Sequence, residues 1–255
     1  MTAAELARKI RNREQCLGYW VVLDAPVATE RLARLGYDYV ALDGQHGLIG
    51  NAGLLANLMA IDAGGRSVGL VRVESSDPAV IGRALDFGAG GVIVPLVDSA
   101  QDAARAVSAA RYPAKGRRSY GPMRSMLRIG PTPAEADESV LVLAMIETPE
   151  GLANIEDICA TPGLDGVYVG PSDLCLAVGG RFPNDPEVAD VFEAALERVR
   201  TSARDAGIAA GIHNPTGEQA ARRLAEGYTF ATVASDLVHL EQAAAAHLTA
   251  ARGGA

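Results

Sequence analysis

Polar side chains stand where apolar segments of this chain end, and their types suggest a reaction. They are Asp43, His46, Arg72, Glu147 and Asp173. Two carboxylates suit a hard divalent cation, an imidazole exchanges protons near neutral pH, and a guanidinium stabilises negative charge that develops on oxygen. Such a set fits metal-assisted chemistry on a 2-oxo acid. Arg72 and the metal would stabilise an enolate, and His46, oriented by Asp43, would move the proton.

Neither a lysine nor a cluster of Cys and His stands at the predicted strand ends, which narrows the possible reactions. Residues such as Lys9 and Lys115 fall in a helix or a loop, so a Schiff-base mechanism has no candidate lysine. No cluster of Cys and His has the spacing of a structural zinc site. The preferred metal stays open, because Mg²⁺, Mn²⁺ and Co²⁺ all accept oxygen-rich sites.

Apolar, β-branched runs alternate with helical patterns along the chain. The predicted strands are 18–23, 37–42, 67–71, 91–94, 140–146, 166–169, 209–212 and 229–233. The predicted helices are 28–35, 53–63, 78–87, 100–110, 187–206 and 216–225, with an Ala-rich helix from 237 to about 252. Continuous apolar strands predict a parallel sheet, and eight of them predict one (β/α)8 barrel domain over residues 1–255. No GxGxxG follows the first strand, which weakens a doubly wound alternative.

A parallel barrel would bring the five polar residues together, because its strands all end on the face where barrel active sites lie. Each residue also has an ordinary interpretation. Asp43 is typical of a turn, and His46 is compatible with a structural imidazole. Arg72 is compatible with a surface cation, and Glu147 and Asp173 with acids at helix starts. We favour the shared site, because five separate coincidences are less plausible than one pocket.

Composition limits the partners and the compartment. The net charge of −8 and the pI near 5.1 argue against a nucleic-acid surface. Three cysteines without CxxC spacing are typical of reduced thiols, and the amino terminus lacks the apolar core of a signal peptide. The most apolar run, 140–146, is too short to span a bilayer. We therefore expect a cytoplasmic protein that acts on a small molecule.

A long connection, 112–139, carries a short basic patch. The patch consists of Lys115, Arg117, Arg118 and Arg124. It fits either a loop that meets an anionic ligand or a solvated loop. Connections of this length in compact domains are usually functional or mobile.

With these residues in view, the sequence resembles the HpcH/HpaI aldolase family over nearly its whole length. The resemblance is carried by "GYW" at 18–20, "YVALDGQHG" at 39–47, "VRVESSDP" at 71–78, "DFGAGGVIVPLVDSAQDAARAVSAARYPAKGRRSYGP" at 86–122, "MIETPEGLANIEDI" at 145–158 and "GVYVGPSDLCLAVG" at 166–179. It implies a (β/α)8 barrel and a metal-dependent class II aldolase. Such an enzyme cleaves a 4-hydroxy-2-oxo acid to pyruvate, or hydroxypyruvate, and an aldehyde.

The resemblance also implies roles for individual residues. Glu147 and Asp173 would bind Mg²⁺ or Mn²⁺, Arg72 would stabilise the enolate, and His46 with Asp43 would form the acid–base pair. The remaining substrate contacts that it implies come from the segment Gly170, Pro171, Ser172 and Asp173, where main-chain amides around Ser172 and Asp173 hold the carboxylate. They also include Trp20, and Arg124 in a mobile loop close to the site. Family members are typically hexamers, built as trimers of dimers with exchanged C-terminal helices.

Three positions depart from the pattern of this family. Gln45 stands where Glu is usual, Met145 stands where Gln is common, and His213-Asn214 replaces a more apolar pair. His213 either contacts the aldehyde or only packs. Two competing functions stay open: a CoA-thioester lyase of the citrate-lyase type, for which no extra segment is obvious, and a barrel that binds oxo acids without converting them.

Overall fold

The barrel consists of eight short strands, each parallel to its neighbours in sequence. The computed structural model describes residues 1–253. The strands are β1 (Cys16–Val21), β2 (Tyr39–Asp43), β3 (Val68–Arg72), β4 (Gly91–Val94), β5 (Leu141–Ile146), β6 (Gly166–Val169), β7 (Ala209–Asn214) and β8 (Phe230–Ser235). Because β1 pairs with both β2 and β8, the sheet is closed. The predicted (β/α)8 barrel is confirmed.

Helices surround this sheet and return the chain from the end of one strand to the start of the next. They are α1 (Ala3–Arg11), α2 (Pro26–Leu32), α3 (Asn51–Gly64), α4 (Pro78–Asp86), α5 (Ala100–Ala110), α6 (Pro133–Ser139), α7 (Pro149–Ala153), α8 (Ile155–Cys159), α9 (Pro171–Ala177), α10 (Ala189–Asp205), α11 (Gly217–Ala225) and α12 (Asp236–Ala251). Local signals fix several ends. The side chain of Asp77 accepts a hydrogen bond from the Ala79 amide at the start of α4, and Gly88 follows α4 with a φ of +96°.

The strand residues of the barrel are mostly apolar, and a cluster of three hydroxyls lies among them. Most strand residues are fully buried, as the continuous apolar runs predict. The hydroxyls of Tyr39 and Tyr168 both lie 2.7 Å from Oγ1 of Thr232. Buried hydroxyls are stable when they pair in this way, so the three strands β2, β6 and β8 are tied together at the centre of the barrel.

The structure differs from the prediction mainly at element boundaries. β2, β3, β7 and β8 extend one or two residues beyond the predicted ends and include polar residues. The connection 112–139 is not entirely loop: it contains a short 3₁₀ turn and α6, whose Thr132 and Glu135 form a reciprocal cap. Two short helices, α7 and α8, occupy the span after β5 where no helix was predicted.

The last helix, α12, has no buried residue in this chain. Leu237, Val238, Leu240 and Leu248 expose between 38% and 60% of their surfaces. The expectation of an Ala-rich terminal helix is confirmed. Among residues 1–253, no helix has the length and apolar character needed to cross a membrane.

Candidate active site

The predicted residues come together at the carboxyl-terminal face of the barrel. Asp43 is the last residue of β2, and it is the register partner of Arg72, the last residue of β3. Glu147 follows β5 directly, and Asp173 lies in the first turn of α9, just after β6. Strand pairing therefore places acid and arginine residues from four strand ends around one mouth.

A buried ion pair joins Arg72 to Asp43. Nε of Arg72 lies 2.9 Å from Oδ1 of Asp43, and Nη2 lies 2.5 Å from Oδ2. Burial opposes ionisation of Asp43, but the hydrogen bonds and charge of Arg72 outweigh it and hold the pKa of Asp43 below its usual value. The two-point contact fixes the guanidinium plane. Within residues 1–253, Nη1 of Arg72 has no hydrogen-bond partner, so it is free for a ligand oxygen.

Trp20 completes the surroundings of this ion pair. Its Nε1 donates to Oδ2 of Asp43 at 3.3 Å, and its ring centroid lies 5.1 Å from the guanidinium carbon of Arg72. The indole also stacks on Tyr168, with centroids 5.9 Å apart. Tyr168 was not among the predicted site residues, because an aromatic residue inside an apolar strand gives no signal that separates it from ordinary core.

Glu147 is the buried acid of the site. Its side chain is enclosed, and its Oε1 accepts one hydrogen bond, from the Leu96 amide at 2.9 Å. Burial raises the pKa of Glu147, and the negative charge of Asp173 acts in the same direction. Gly170 lets the acid fit, because a Cβ at that position would lie 2.6 Å from Oε2 of Glu147.

Glu147 and Asp173 are the two carboxylates at the barrel mouth that could hold a divalent cation. Glu147 is buried, Asp173 is exposed, and a cation held by both would relieve their mutual repulsion. No group of three or more Asp, Glu, His or Cys side chains in residues 1–253 is arranged to hold a metal ion. Two carboxylates alone suit Mg²⁺ or Mn²⁺, which keep waters and bind substrate oxygens in the remaining positions.

His46 lies at the rim and not in the buried cluster. Its side chain is exposed, and no hydrogen bond joins its imidazole to the carboxylate of Asp43. Instead, Oδ1 of Asp43 accepts from the main-chain amides of Gln45, at 3.1 Å, and His46, at 3.0 Å. The expected contact between the carboxylate and the ring is therefore absent from this arrangement. Asp43 orients Arg72 and the loop that carries His46.

His213 and Asn214 end β7 and differ in their surroundings. The His213 ring lies edge-on to Trp20, with centroids 5.4 Å apart, so it belongs to the site. The side-chain amide of Asn214 donates to the main-chain carbonyls of Ile212 and Thr232. Asn214 therefore holds β7 to β8, and His213 is the member of the pair that faces the site.

Arg124 is not brought to the site in this chain. Its guanidinium pairs with Asp62 near the end of α3, and Nη1 donates to the Phe87 carbonyl at 2.5 Å. Both partners lie at the ends of helices that run away from the strand carboxyl ends, so Arg124 sits towards the amino-terminal side of the barrel. Its predicted place beside the pocket does not hold within one chain, because the partly buried Asp62 and the Phe87 carbonyl bind it elsewhere.

A closed parallel barrel with charged residues converging on its carboxyl-terminal face is typical of an enzyme. The chain belongs to the HpcH/HpaI aldolase/citrate lyase family, whose model matches residues 16–243. The resemblance noted in the sequence is confirmed.

Relatives with assigned activities cover most of the chain. A hydroxypyruvate/pyruvate aldolase of Rhizorhabdus wittichii is 43% identical over 229 residues, which are 89% of this chain and 90% of that protein. A 5-keto-4-deoxy-D-glucarate aldolase of an Enterobacter species is 35% identical and covers 88% of each chain. Among solved structures, a family member from Burkholderia cenocepacia superposes with a TM-score of 0.89 at 32% identity, over 98% of this chain and all of that one. The predicted aldolase class of enzyme is confirmed by these similarities.

Proposed function

We propose that this chain cleaves a 4-hydroxy-2-oxo acid, reversibly, to an aldehyde and pyruvate or hydroxypyruvate, with a divalent metal bound at Glu147 and Asp173. The observation that supports this most directly is the arrangement of a buried acid, an exposed acid and a fixed arginine at one barrel mouth. The relatives named hydroxypyruvate/pyruvate aldolase and 5-keto-4-deoxy-D-glucarate aldolase act on substrates of this chemistry.

Glu147 and Asp173 are the residues that would hold the metal. Glu147 is supported as a ligand because its carboxylate is buried and accepts from a single hydrogen-bond donor. Asp173 is supported as a ligand because its charge acts on Glu147. A bound Mg²⁺ or Mn²⁺, or Co²⁺, supplies positive charge against the 2-oxo oxygen as the enolate develops. The choice among these ions depends on geometry that two carboxylates alone do not fix.

Arg72 and the start of α9 bind the oxo acid in this proposal. The free Nη1 of Arg72 supplies a hydrogen bond to the enolate oxygen, and Asp43 keeps that guanidinium in place. In the segment from Gly170 to Asp173, the main-chain N–H groups of Ser172 and Asp173 bind the substrate carboxylate, since the first N–H groups of a helix have no partner within it. Trp20 covers one side of the reactant.

His46 moves the proton. In the cleavage direction His46 removes the proton of the C4 hydroxyl, and the C3–C4 bond breaks to release the aldehyde. The electron pair of that bond forms the enolate, and a proton is then returned to C3. We expect His46→Asn to slow turnover by about 10²–10⁴-fold, because proton transfer by a positioned side chain contributes that much. Exchange of the C3 protons of pyruvate with D₂O, followed by NMR, isolates the step. Unchanged exchange in the variant would remove His46 from this role, and Leu48→Ala, in the same loop, is the control.

Gln45 contributes no charge beside His46, where a Glu would contribute a negative one. Its Oε1 is enclosed and has no hydrogen-bond partner within the described residues, and the side chain carries no charge. Gln45→Glu adds a negative charge that favours protonated His46. Because the base must be unprotonated to act, the acidic limb of the pH profile of kcat/KM should move to higher pH in the variant. Superimposable profiles for the variant and the wild type would contradict this.

Assembly and compartment complete the proposal. The exposed apolar side chains on α12 support burial of this helix against another subunit. The family resemblance supports a homohexamer, a trimer of dimers with exchanged terminal helices. Cys16, Cys159 and Cys175 are free and buried, which supports a reducing, cytoplasmic location. We infer no nucleic-acid or membrane partner, in keeping with the acidic composition.

A further inference from the structure

A cavity of about 420 Å³ opens beside the site, between β7, α9, α10 and α11. Its walls carry polar side chains as well as apolar ones. They include Ser172, Asn184, His213, Gln219 and Arg222. Because Ser172 lies in the segment assigned to the oxo acid and His213 lies against Trp20, the cavity adjoins the space where a reactant binds.

The His213 ring is the unexplained polar group at this junction. Neither of its nitrogens has a hydrogen-bond partner in residues 1–253, and Nδ1 is fully enclosed. Buried polar atoms are nearly always paired, and an unpaired one in a native protein calls for a ligand or a water. A phenyl ring would pack equally well edge-on against Trp20 without leaving a nitrogen unpaired. Packing alone does not account for a histidine here.

The charge state of the ring determines what it can recognise. Burial lowers the pKa of His213 to about 4, and the positive charge of Arg72 acts in the same direction. At neutral pH the imidazole is uncharged, with one nitrogen that donates and one that accepts. A carboxylate gains no charge attraction from such a ring and only accepts. A hydroxyl both donates and accepts, so it pairs with Nε2, the nitrogen that is not enclosed, in either tautomer.

We propose that His213 is a specificity-determining residue that hydrogen-bonds a hydroxyl group of a reactant, so that the enzyme prefers a hydroxylated reactant to its deoxy counterpart. This inference rests on the proposed aldolase function and adds the class of substrate. The hydroxyl has two sources: the C3 hydroxyl of the donor, as in hydroxypyruvate against pyruvate, and the C2 hydroxyl of the aldehyde, as in glycolaldehyde against acetaldehyde.

The test compares kcat/KM ratios in the wild type, His213→Phe and His213→Asn, with Mg²⁺ or Mn²⁺ present. One ratio is hydroxypyruvate over pyruvate with acetaldehyde, and the other is glycolaldehyde over acetaldehyde with pyruvate. His213→Phe should lower one of them by about 3- to 10-fold, the effect of one neutral hydrogen bond, and leave the other unchanged. The ratio that falls identifies the source. His213→Asn keeps a donor and an acceptor and should retain most of the preference.

Equal ratios in the wild type and His213→Phe, for both pairs, would overturn the proposal. If the phenylalanine variant fails to fold, as judged by thermal unfolding, His213→Leu is measured in its place with the same criterion. A wild type that converts none of the three donor–acceptor pairs with any of the metals would refute the aldolase function itself, and the role of His213 with it. A wild type that is active, with an unmoved ratio, refutes only the role of His213.

Discussion

Glu147→Gln should lower turnover by at least about 10³-fold, equivalent to roughly 4 kcal/mol of transition-state stabilisation. The substitution removes the negative charge but keeps the size of the side chain. The amide carbonyl can still accept from Leu96, whose N–H lies 2.9 Å from Oε1 in the wild type. The barrel should therefore stay intact, and the loss should report on charge at the site.

A matched control lies three residues further along the chain. Glu150 is exposed in the first turn of α7, so Glu150→Gln removes the same charge near the same strand end without touching the site. We expect its kcat/KM to stay within about 2-fold of wild type, because exposed substitutions away from special features have small effects. A comparable loss in both variants would mean that general electrostatics, and not a site, explains the effect of Glu147→Gln.

Thermal unfolding gives a second measurement that does not depend on turnover. A ligand that binds only the folded chain raises the melting temperature, so Mn²⁺ should stabilise the wild type and have little effect on Glu147→Gln. Full wild-type activity in excess EDTA would reject the metal site directly. A metal-dependent rise of equal size in both proteins would place the metal elsewhere.

The fold was predictable because its signal is repeated. Eight apolar runs separated by helical patterns leave few topologies, and the closed parallel barrel satisfies them all. The strand ends were less predictable where function intervenes. The predictions for β2, β3 and β7 stopped where apolar residues stop, whereas these strands continue to Asp43, Arg72 and Asn214. At a barrel mouth, strand residues face a polar pocket, so apolarity ends before the strand does.

The sequence predicted which residues meet at the barrel mouth better than it predicted the contacts between them. Convergence of strand ends brings Asp43, Arg72, Glu147 and Asp173 together from topology alone. Sequence spacing suggested that Asp43 serves the ring of His46, three residues away. In the structure the carboxylate of Asp43 pairs instead with Arg72 on the adjacent strand, because Asp43 and Arg72 are register partners. Pairing across a sheet cannot be read from separation along the chain.

The position of Arg124 shows a second limit. The connection 112–139 has no repeating pattern, so its path depends on particular contacts such as the pairing of Arg124 with Asp62. The cap formed by Thr132 and Glu135 was a readable signal for α6 in this segment. It identifies a helix start but does not say where the preceding residues lie.

The role of Asp43 can be decided by comparing Asp43→Asn with variants of its two neighbours. If Asp43 positions Arg72, the asparagine variant should resemble Arg72→Lys, with kcat lowered by about 10²–10³-fold, because the guanidinium loses its fixed plane. It should also lose roughly 3–5 kcal/mol of stability, since removal of one partner leaves the other charge buried and unpaired. The double variant should then be less impaired than the product of the single effects, because both substitutions break the same interaction.

The alternative, in which Asp43 acts through the imidazole, gives a different pattern. Asp43→Asn would then resemble His46→Asn in the exchange of pyruvate C3 protons, and its effect would multiply with that of Arg72→Lys. Asp165→Asn supplies the control for stability, because Asp165 forms a buried pair with Arg111 at 2.8 Å on the opposite face of the barrel. It should lower the melting temperature without lowering kcat. A third outcome is that Asp43→Asn, Arg72→Lys and Asp165→Asn all lose stability and activity in the same proportion. The ion pair of Arg72 and Asp43 would then be structural, and the enolate oxygen would need another hydrogen-bond donor.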